Sequence, residues 1–180
     1  MSSRAIAEER DAVLDTTSRV AALYALHAHR VGRLAYLLTG DPDLAEDLAH
    51  EAFAGLLSRF RTIRDEALVA AYLRRSVVNL VRKHWRKRGT ERRYLRREGA
   101  TIVARTTELP EPSVRDDVWE ALQKLPYRQR AAIVLRFYED LTERETARVL
   151  ACAVGTVKSS VARGLERMRE ELIVDEDIRV

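Results

Sequence analysis

The chain has 180 residues, 46% of them hydrophobic and 33% charged, the balance of one medium globular domain or two small ones. Seven Gly and four Pro are few for this length and favour helices over a turn-rich β fold, while a single cysteine, Cys152, excludes an intrachain disulfide and suits a reducing cytoplasm. Net charge is only +4, yet residues 72–98 hold eleven bases against two acids, a concentrated basic stripe that points to a polyanion partner, either nucleic acid or a lipid surface.

Residues 1–18 are polar and charged, without a clear apolar stripe, and read as a loose N-terminal extension. They carry no apolar core of the secretory kind, and no apolar run approaches the ~18–20 residues of a membrane span. The expectation is a soluble cytoplasmic protein with no membrane insertion. From Arg19 a helical pattern begins, with Val20, Leu23, Leu26, Val31, Leu34 and Leu38, and Gly40 stops it. Asp41-Pro42 reads as an N-cap followed by Pro at the first helical position. The helix it opens runs to about Phe60, with Leu44, Leu48, Ala52 and Leu56 in one row and Phe53 and Leu57 beside them. A third helix spans roughly 67–87.

Gly89, Gly99 and Pro110-Glu-Pro112 mark residues 89–112 as a flexible linker, with domains at 19–88 and 113–174 and a tail at 175–180. In the second domain Val118, Trp119, Leu122 and Leu125 line one helix. Pro126 restarts another that carries Ile133, Val134 and Phe137, and a last pair occupies 142–150 and 154–173. The fold class expected is all-α: two small helical domains, the second with a helix-turn-helix.

That helix-turn-helix rests on a capping box at Thr142 and Glu145, a short helix, a turn at 151–155 and a longer helix. Val154, Val157, Val161, Leu165, Met168 and Leu172 fall within an arc of about 80° and form its expected buried face. Thr156, Ser159 and Arg163 face the other way, with Lys158 at the border; small Ser159 and Ser160 allow close approach to a major groove. A plain αα-hairpin packed in a bundle has the same spacing.

On a helical wheel Arg75, Asn79, Arg82, Lys83 and Arg86 share one face of the third helix, opposite Leu73, Val77, Leu80 and Val81. Four cations, an Asn able to bond a base edge, and nearby Tyr72 and Trp85 for stacking suit DNA, including strands being opened. A solvated charged face or a lipid-surface helix remains the alternative. In the second helix Asp41, Asp43, Glu46, Asp47 and Glu51 are five acids with no base between them. The first turn complements the helix dipole. The like-charged pair Asp47 and Glu51, four residues apart, is mildly unfavourable and is explained by a protein-binding face.

These pieces, in this order, resemble the bacterial sigma factors of the extracytoplasmic-function (ECF) group, in the SigE-like form common in actinobacteria. The resemblance rests on Gly40-Asp-Pro-Asp-Leu-Ala-Glu-Asp-Leu-Ala-His-Glu-Ala-Phe53, Ala71-Tyr-Leu-Arg-Arg75 with Asn79, Leu125-Pro-Tyr-Arg-Gln-Arg130, Leu135-Arg-Phe-Tyr-Glu-Asp-Leu141 and Val154-Gly-Thr-Val-Lys-Ser159. It implies that Asp47, His50, Glu51 and Phe53 dock on the clamp coiled coil of core RNA polymerase. Arg75, Asn79, Arg82, Lys83 and Arg86 would meet the minus-ten promoter element, and residues 61–66 would capture a base flipped from the duplex. Thr156, Lys158, Ser159, Ser160 and Arg163 would read the minus-thirty-five element, with the linker threading towards the RNA exit path. Many members have an anti-sigma protein, which the linker permits and no residue here names.

Two positions depart from the pattern: His50 stands where Gln is usual, and Ala153 where Ser commonly caps the recognition helix, at a cost of roughly 1 kcal/mol. The residues argue against an enzyme. The four histidines show no metal-ligand spacing, Cys152 has no His or Cys beside it, no glycine-rich phosphate loop occurs, and no cofactor is implied. The rival reading is a stand-alone helix-turn-helix regulator that does not associate with polymerase.

Overall fold

The computed structural model describes residues 3–58, 66–97 and 114–178, and among these every regular element is helical. Helix α1 spans Ser3–Thr39, α2 Pro42–Leu57 and α3 Glu66–Arg97. Two boundaries among these three helices differ from expectation. Residues 3–18, read as a loose extension, continue α1, because Ala, Glu and Arg there favour a helix even without an apolar stripe. Helix α3 runs ten residues beyond Lys87, through Gly89, so the start of the expected linker is helical; one Gly among Arg, Lys and Glu costs only about 1 kcal/mol. Phe60 and residues 61–65 lie outside the described residues.

The turn between α1 and α2 follows its sequence. Gly40 takes a left-handed φ of 74°, and its amide donates to Tyr36 O at 2.8 Å. The Asp41 carboxylate accepts from Leu44 N at 3.0 Å, with Pro42 at the first helical position. Leu34 and Leu38 of α1, Ala52 and Leu56 of α2, and Leu73, Val77 and Val81 of α3 then make the first core. Leu26, expected inside, is 57% exposed, and His27 is buried in its place, one position round the helix.

The second cluster comprises α4 (Val114–Lys124), α5 (Tyr127–Ile133), a π turn over Val134–Tyr138, α6 (Glu143–Leu150) and α7 (Val154–Ile178), the last of which runs past residue 173 into the expected tail. In the π turn Glu139 N reaches back to Val134 O, and the wider turn rotates the residues at its end. Glu139 therefore faces inward and Phe137, expected in the core, stands exposed. Val118 is also exposed, while its neighbour Trp119 turns inward. On α7, Val157 and Met168 are buried as expected but Leu165 is exposed. The crossing with α5 falls instead at buried Gly164, where a Cβ would stand 2.6 Å from Ile133 Cδ1.

The two clusters pack directly on one another through a seam rich in polar groups. The Tyr36 and Trp119 rings stack at 4.4 Å. Arg130, 7% exposed, donates from Nη1 to Leu38 O (3.1 Å) and Gln123 Oε1 (2.6 Å), and from Nη2 to Gln123 O (2.6 Å) and Leu125 O (3.1 Å). Burial pushes its guanidinium down to about 10. The Tyr127 hydroxyl donates to Val78 O at 3.0 Å, and burial raises it to about 12 against the lowering pull of Arg82 and Arg130. No helix among the described residues is long and apolar enough to cross a membrane.

Candidate nucleic-acid and docking surfaces

The acidic surface is a product of the α2 register. With Leu48, Ala52 and Leu56 buried against α1 and α3, Asp47, His50 and Glu51 must face solvent, and all three are exposed. Phe53 is different: it is 8% exposed and packs on Tyr24 of α1 at 4.8 Å between ring centroids. Its place is beneath the surface, supporting Tyr24, whose hydroxyl meets His50 Nε2 at 3.2 Å. Tyr24, His50, Phe53 and Leu57 line an apolar depression of about 230 Å³ beside the two acids. Sequence reasoning had not found Tyr24, because its place on α1 shows in no local motif.

The same logic sets the basic surface. Leu73, Val77 and Val81 are fully buried, so Arg75, Arg82, Lys83 and Arg86 emerge on the far side of α3 and are exposed. Asn79 is half-buried at the edge of this face, its Oδ1 accepting from Arg82 Nη2 at 2.9 Å. That bond fixes the amide orientation and leaves the Asn79 NH₂ group to donate. Trp85 lies half-buried under Arg88, whose guanidinium sits 5.7 Å from the ring centroid, and meets His84 edge-on. Tyr72 is half-buried beside Gly55 of α2, where a Cβ would stand 3.0 Å from its hydroxyl.

In the helix-turn-helix the expected capping box is present. Thr142 Oγ1 accepts from Glu145 N, and the Glu145 carboxylate accepts from Thr142 N at 2.8 Å and from its hydroxyl at 2.6 Å. These bonds hold the Glu145 carboxyl below its ordinary range. Helix α6 ends on Ala151 in the left-handed region, φ 52°. Helix α7 begins at Val154, with Thr156 N and Val157 N both bonded to Ala153 O, so Ala153 occupies the cap position with no side-chain acceptor. Thr156, Lys158, Ser159 and Arg163 are exposed and Ser160 is half-buried. Ser159 Oγ bonds back to Thr156 O at 3.1 Å, and Lys158 reaches Glu143 at 3.6 Å. One face of α7 therefore presents small hydroxyls and two cations while Val157 and Gly164 anchor the other.

The candidate residues thus form three separate faces. Among the described residues no group of His, Cys, Asp and Glu is arranged to hold a metal ion.

Comparison with known proteins agrees with this layout. Residues 23–91 match Sigma-70 region 2, and residues 115–168 match Sigma-70, region 4. The chain is 38% identical over 151 residues to the RNA polymerase sigma-E factor of Streptomyces coelicolor, covering 78% of each chain. It is 34% identical over 174 residues to the ECF RNA polymerase sigma factor SigE of Mycolicibacterium smegmatis, covering 89% of this chain and 66% of that one. Among solved structures, the sigma factor RpoE of Bartonella quintana, crystallised with the anti-sigma factor NepR, is similar at a TM-score of 0.66 and 28% identity, over 84% of this chain and 95% of that one. With both regions in order on a single chain and relatives matched along most of their length, the chain belongs to the sigma-70 family of RNA polymerase sigma factors, in its extracytoplasmic-function group.

Proposed function

We propose that this sigma factor is of the SigE-like type, and that it binds core RNA polymerase, directs it to promoters by recognising minus-ten and minus-thirty-five elements, and helps open the DNA. As a sigma factor it is not an enzyme. The observation that carries the reading is the division of polar surface into three faces on one chain. The acidic face of α2 lies beside an apolar depression, the basic face of α3 carries Asn79, and the start of α7 is small, polar and cationic. A stand-alone regulator needs only the last of these.

In this reading Asp47, His50 and Glu51 meet polymerase and Phe53 holds Tyr24 in place beneath them. Arg75, Arg82, Lys83 and Arg86 draw in the phosphates of the minus-ten region, which positions the helix without reading sequence. The Asn79 amide supplies a base-edge donor. Thr156, Lys158, Ser159, Ser160 and Arg163 enter the major groove of the minus-thirty-five element, where Arg163 is suited to a guanine edge. The proposed domain division is 19–88 and 113–174. The proposed partners are core polymerase, promoter DNA and, because a relative similar across both clusters was crystallised with one, an anti-sigma factor.

The test is gel filtration of the purified chain with sigma-free bacterial core polymerase at moderate salt. Co-elution at one-to-one supports the reading, and Asp47→Ala with Glu51→Ala should weaken it. Separate elution of the wild-type chain favours the stand-alone regulator.

A further inference from the structure

On the outer side of α3, Arg75, Arg82, Lys83 and Arg86 stand with Asn79, and neither a guanidinium nor an ammonium group can accept a hydrogen bond. Among these five side chains the Asn79 carbonyl is therefore the one acceptor, and it is already engaged. Arg82 Nη2 donates to its Oδ1 at 2.9 Å. The bond follows from the helix itself, because residues three apart lie side by side on one face. It also fixes which way the amide points, since a guanidinium can meet only the oxygen side of an asparagine. The other tip of the same fork, Arg82 Nη1, donates to Leu150 O at 3.4 Å.

This pairing changes what Asn79 can read. An unencumbered asparagine recognises adenine with two bonds at once, donating to N7 and accepting from the N6 amine. Here the accepting half is taken, and the guanidinium beside it repels the partly positive hydrogens of an incoming amine. What remains is a pair of N–H donors. These suit a keto oxygen, O6 of guanine or O4 of thymine, and offer nothing to the amine of adenine or cytosine.

We infer that Arg82 is a positioning residue that makes Asn79 a donor-only reader, so that α3 selects a keto base, guanine or thymine, over an amino base. The inference rests on the proposed meeting of α3 with DNA and names the chemistry read there. The neighbouring cations do a different job. Arg75, Lys83 and Arg86 draw phosphates whatever the base and set affinity without choosing sequence. Arg82 alone among the four is bonded to the base-reading amide. That bond lies within one helix and does not depend on the contact with Leu150.

The test compares oligodeoxyuridine with oligodeoxycytidine, each of about 12 nucleotides, whose bases carry a keto oxygen and an amine at the same ring position. In cytidine the amine also flanks the N3 acceptor, so the same repulsion guards both edges. Binding to the full chain is read by fluorescence anisotropy at low salt, and each variant is scored by the ratio of its two affinities. Asn79→Ala supplies the ratio that owes nothing to the amide. The wild-type ratio should exceed it by about fivefold in favour of uridine, the worth of one net hydrogen bond. Arg82→Met should fall to the ratio of Asn79→Ala and lower both affinities as well. Lys83→Met removes an equal charge from the same face and should lower both affinities at the wild-type ratio.

A wild-type ratio no higher than that of Asn79→Ala would overturn the donor-only reader. Arg82→Met at the wild-type ratio, or Lys83→Met shifted as far as Arg82→Met, would overturn the positioning by Arg82. If the wild-type chain binds neither oligonucleotide, the assignment of α3 to DNA falls first and takes the inference with it.

Discussion

The first cluster and the seam that joins it to the second are both well packed, but the seam adds buried polar groups to an apolar core that runs through both. Inside the first cluster the contact between α1, α2 and α3 is Leu, Val and Ala, with Leu38, Leu73, Val77, Val78 and Val81 fully buried. Across the seam the apolar core continues to Leu122, Leu125 and Leu135, and beside it Glu139, Arg130 and the Tyr127 hydroxyl each bond to the first cluster. Parting an apolar contact exposes hydrocarbon with nothing to replace it. A charged or hydroxyl group leaving its partner is taken up by water. The first contact holds a domain together by burial alone, whereas the second adds bonds that fix how the two clusters meet.

The largest expected effect comes from breaking the apolar side of this comparison. Leu73→Ala removes a side chain with no exposure at the meeting point of the three helices and should cost about 2–5 kcal/mol, read as a lower midpoint in denaturant unfolding. The polar side should yield less. Arg130→Ala strips donors from Leu38 O, Gln123 O and Leu125 O and should cost about 1–3 kcal/mol. Its signature is expansion of a chain that is still helical, where Leu73→Ala loses helix. Equal loss of helix in both variants would mean that the seam and the cluster are one cooperative unit.

This division also explains what was legible in the sequence. Helix periodicity, the Asp41-Pro42 start and the Thr142–Glu145 capping box are local, and each stands where the spacing put it. The exposed cations of α3 and the polar start of α7 followed from knowing the opposite faces. The seam did not, because the partners of Glu139 are 65 and 109 residues away and no helix period links them. A π turn breaks the 3.6-residue rule by which Phe137 was expected to be buried. Leu165 was misplaced for a related reason: the periodic stripe is apolar throughout, but the crossing with α5 selects Gly164. Arg130 gave no local signal either, since it follows Arg128 and Gln129 in a polar stretch and the apolar run begins only at Ala131.

Tyr127→Phe sharpens the comparison within the seam itself. It deletes one bond, to Val78 O, and should cost about 1 kcal/mol at neutral pH. Burial raises the folded Tyr127 to about 12 from 10.0, so between those values the unfolded chain gives up its proton before the folded one. Stability from this group is complete below pH 10 and falls as pH rises towards 12. Arg130, lowered from 12.5 to about 10, acts in the same pH range but through the opposite imbalance, since the folded chain there sheds a proton that the unfolded chain keeps. The comparison that isolates Tyr127 is therefore wild type against Tyr127→Phe: the wild-type advantage should be constant to pH 10 and lost by pH 12. An advantage that persists to pH 12 would place the hydroxyl in water.

The smallest effect lies outside both contacts and reports how they are coupled. Ala153 sits at the cap of α7, where its carbonyl is used but its methyl leaves the first amides without a side-chain acceptor. Ala153→Ser adds that acceptor and should stabilise the helix-turn-helix by about 0.5–1 kcal/mol. Where that gain appears is the informative part. If the polar seam opens before either cluster unfolds, a thermal melt shows two transitions, and only the one belonging to α4 through α7 moves up. If the seam holds until the end, the whole chain melts once and the midpoint shifts by a smaller amount, because the same gain is shared over a larger unfolding entropy. A separable seam requires the first pattern, so a substitution remote from Glu139 and Arg130 bears directly on how tightly they hold.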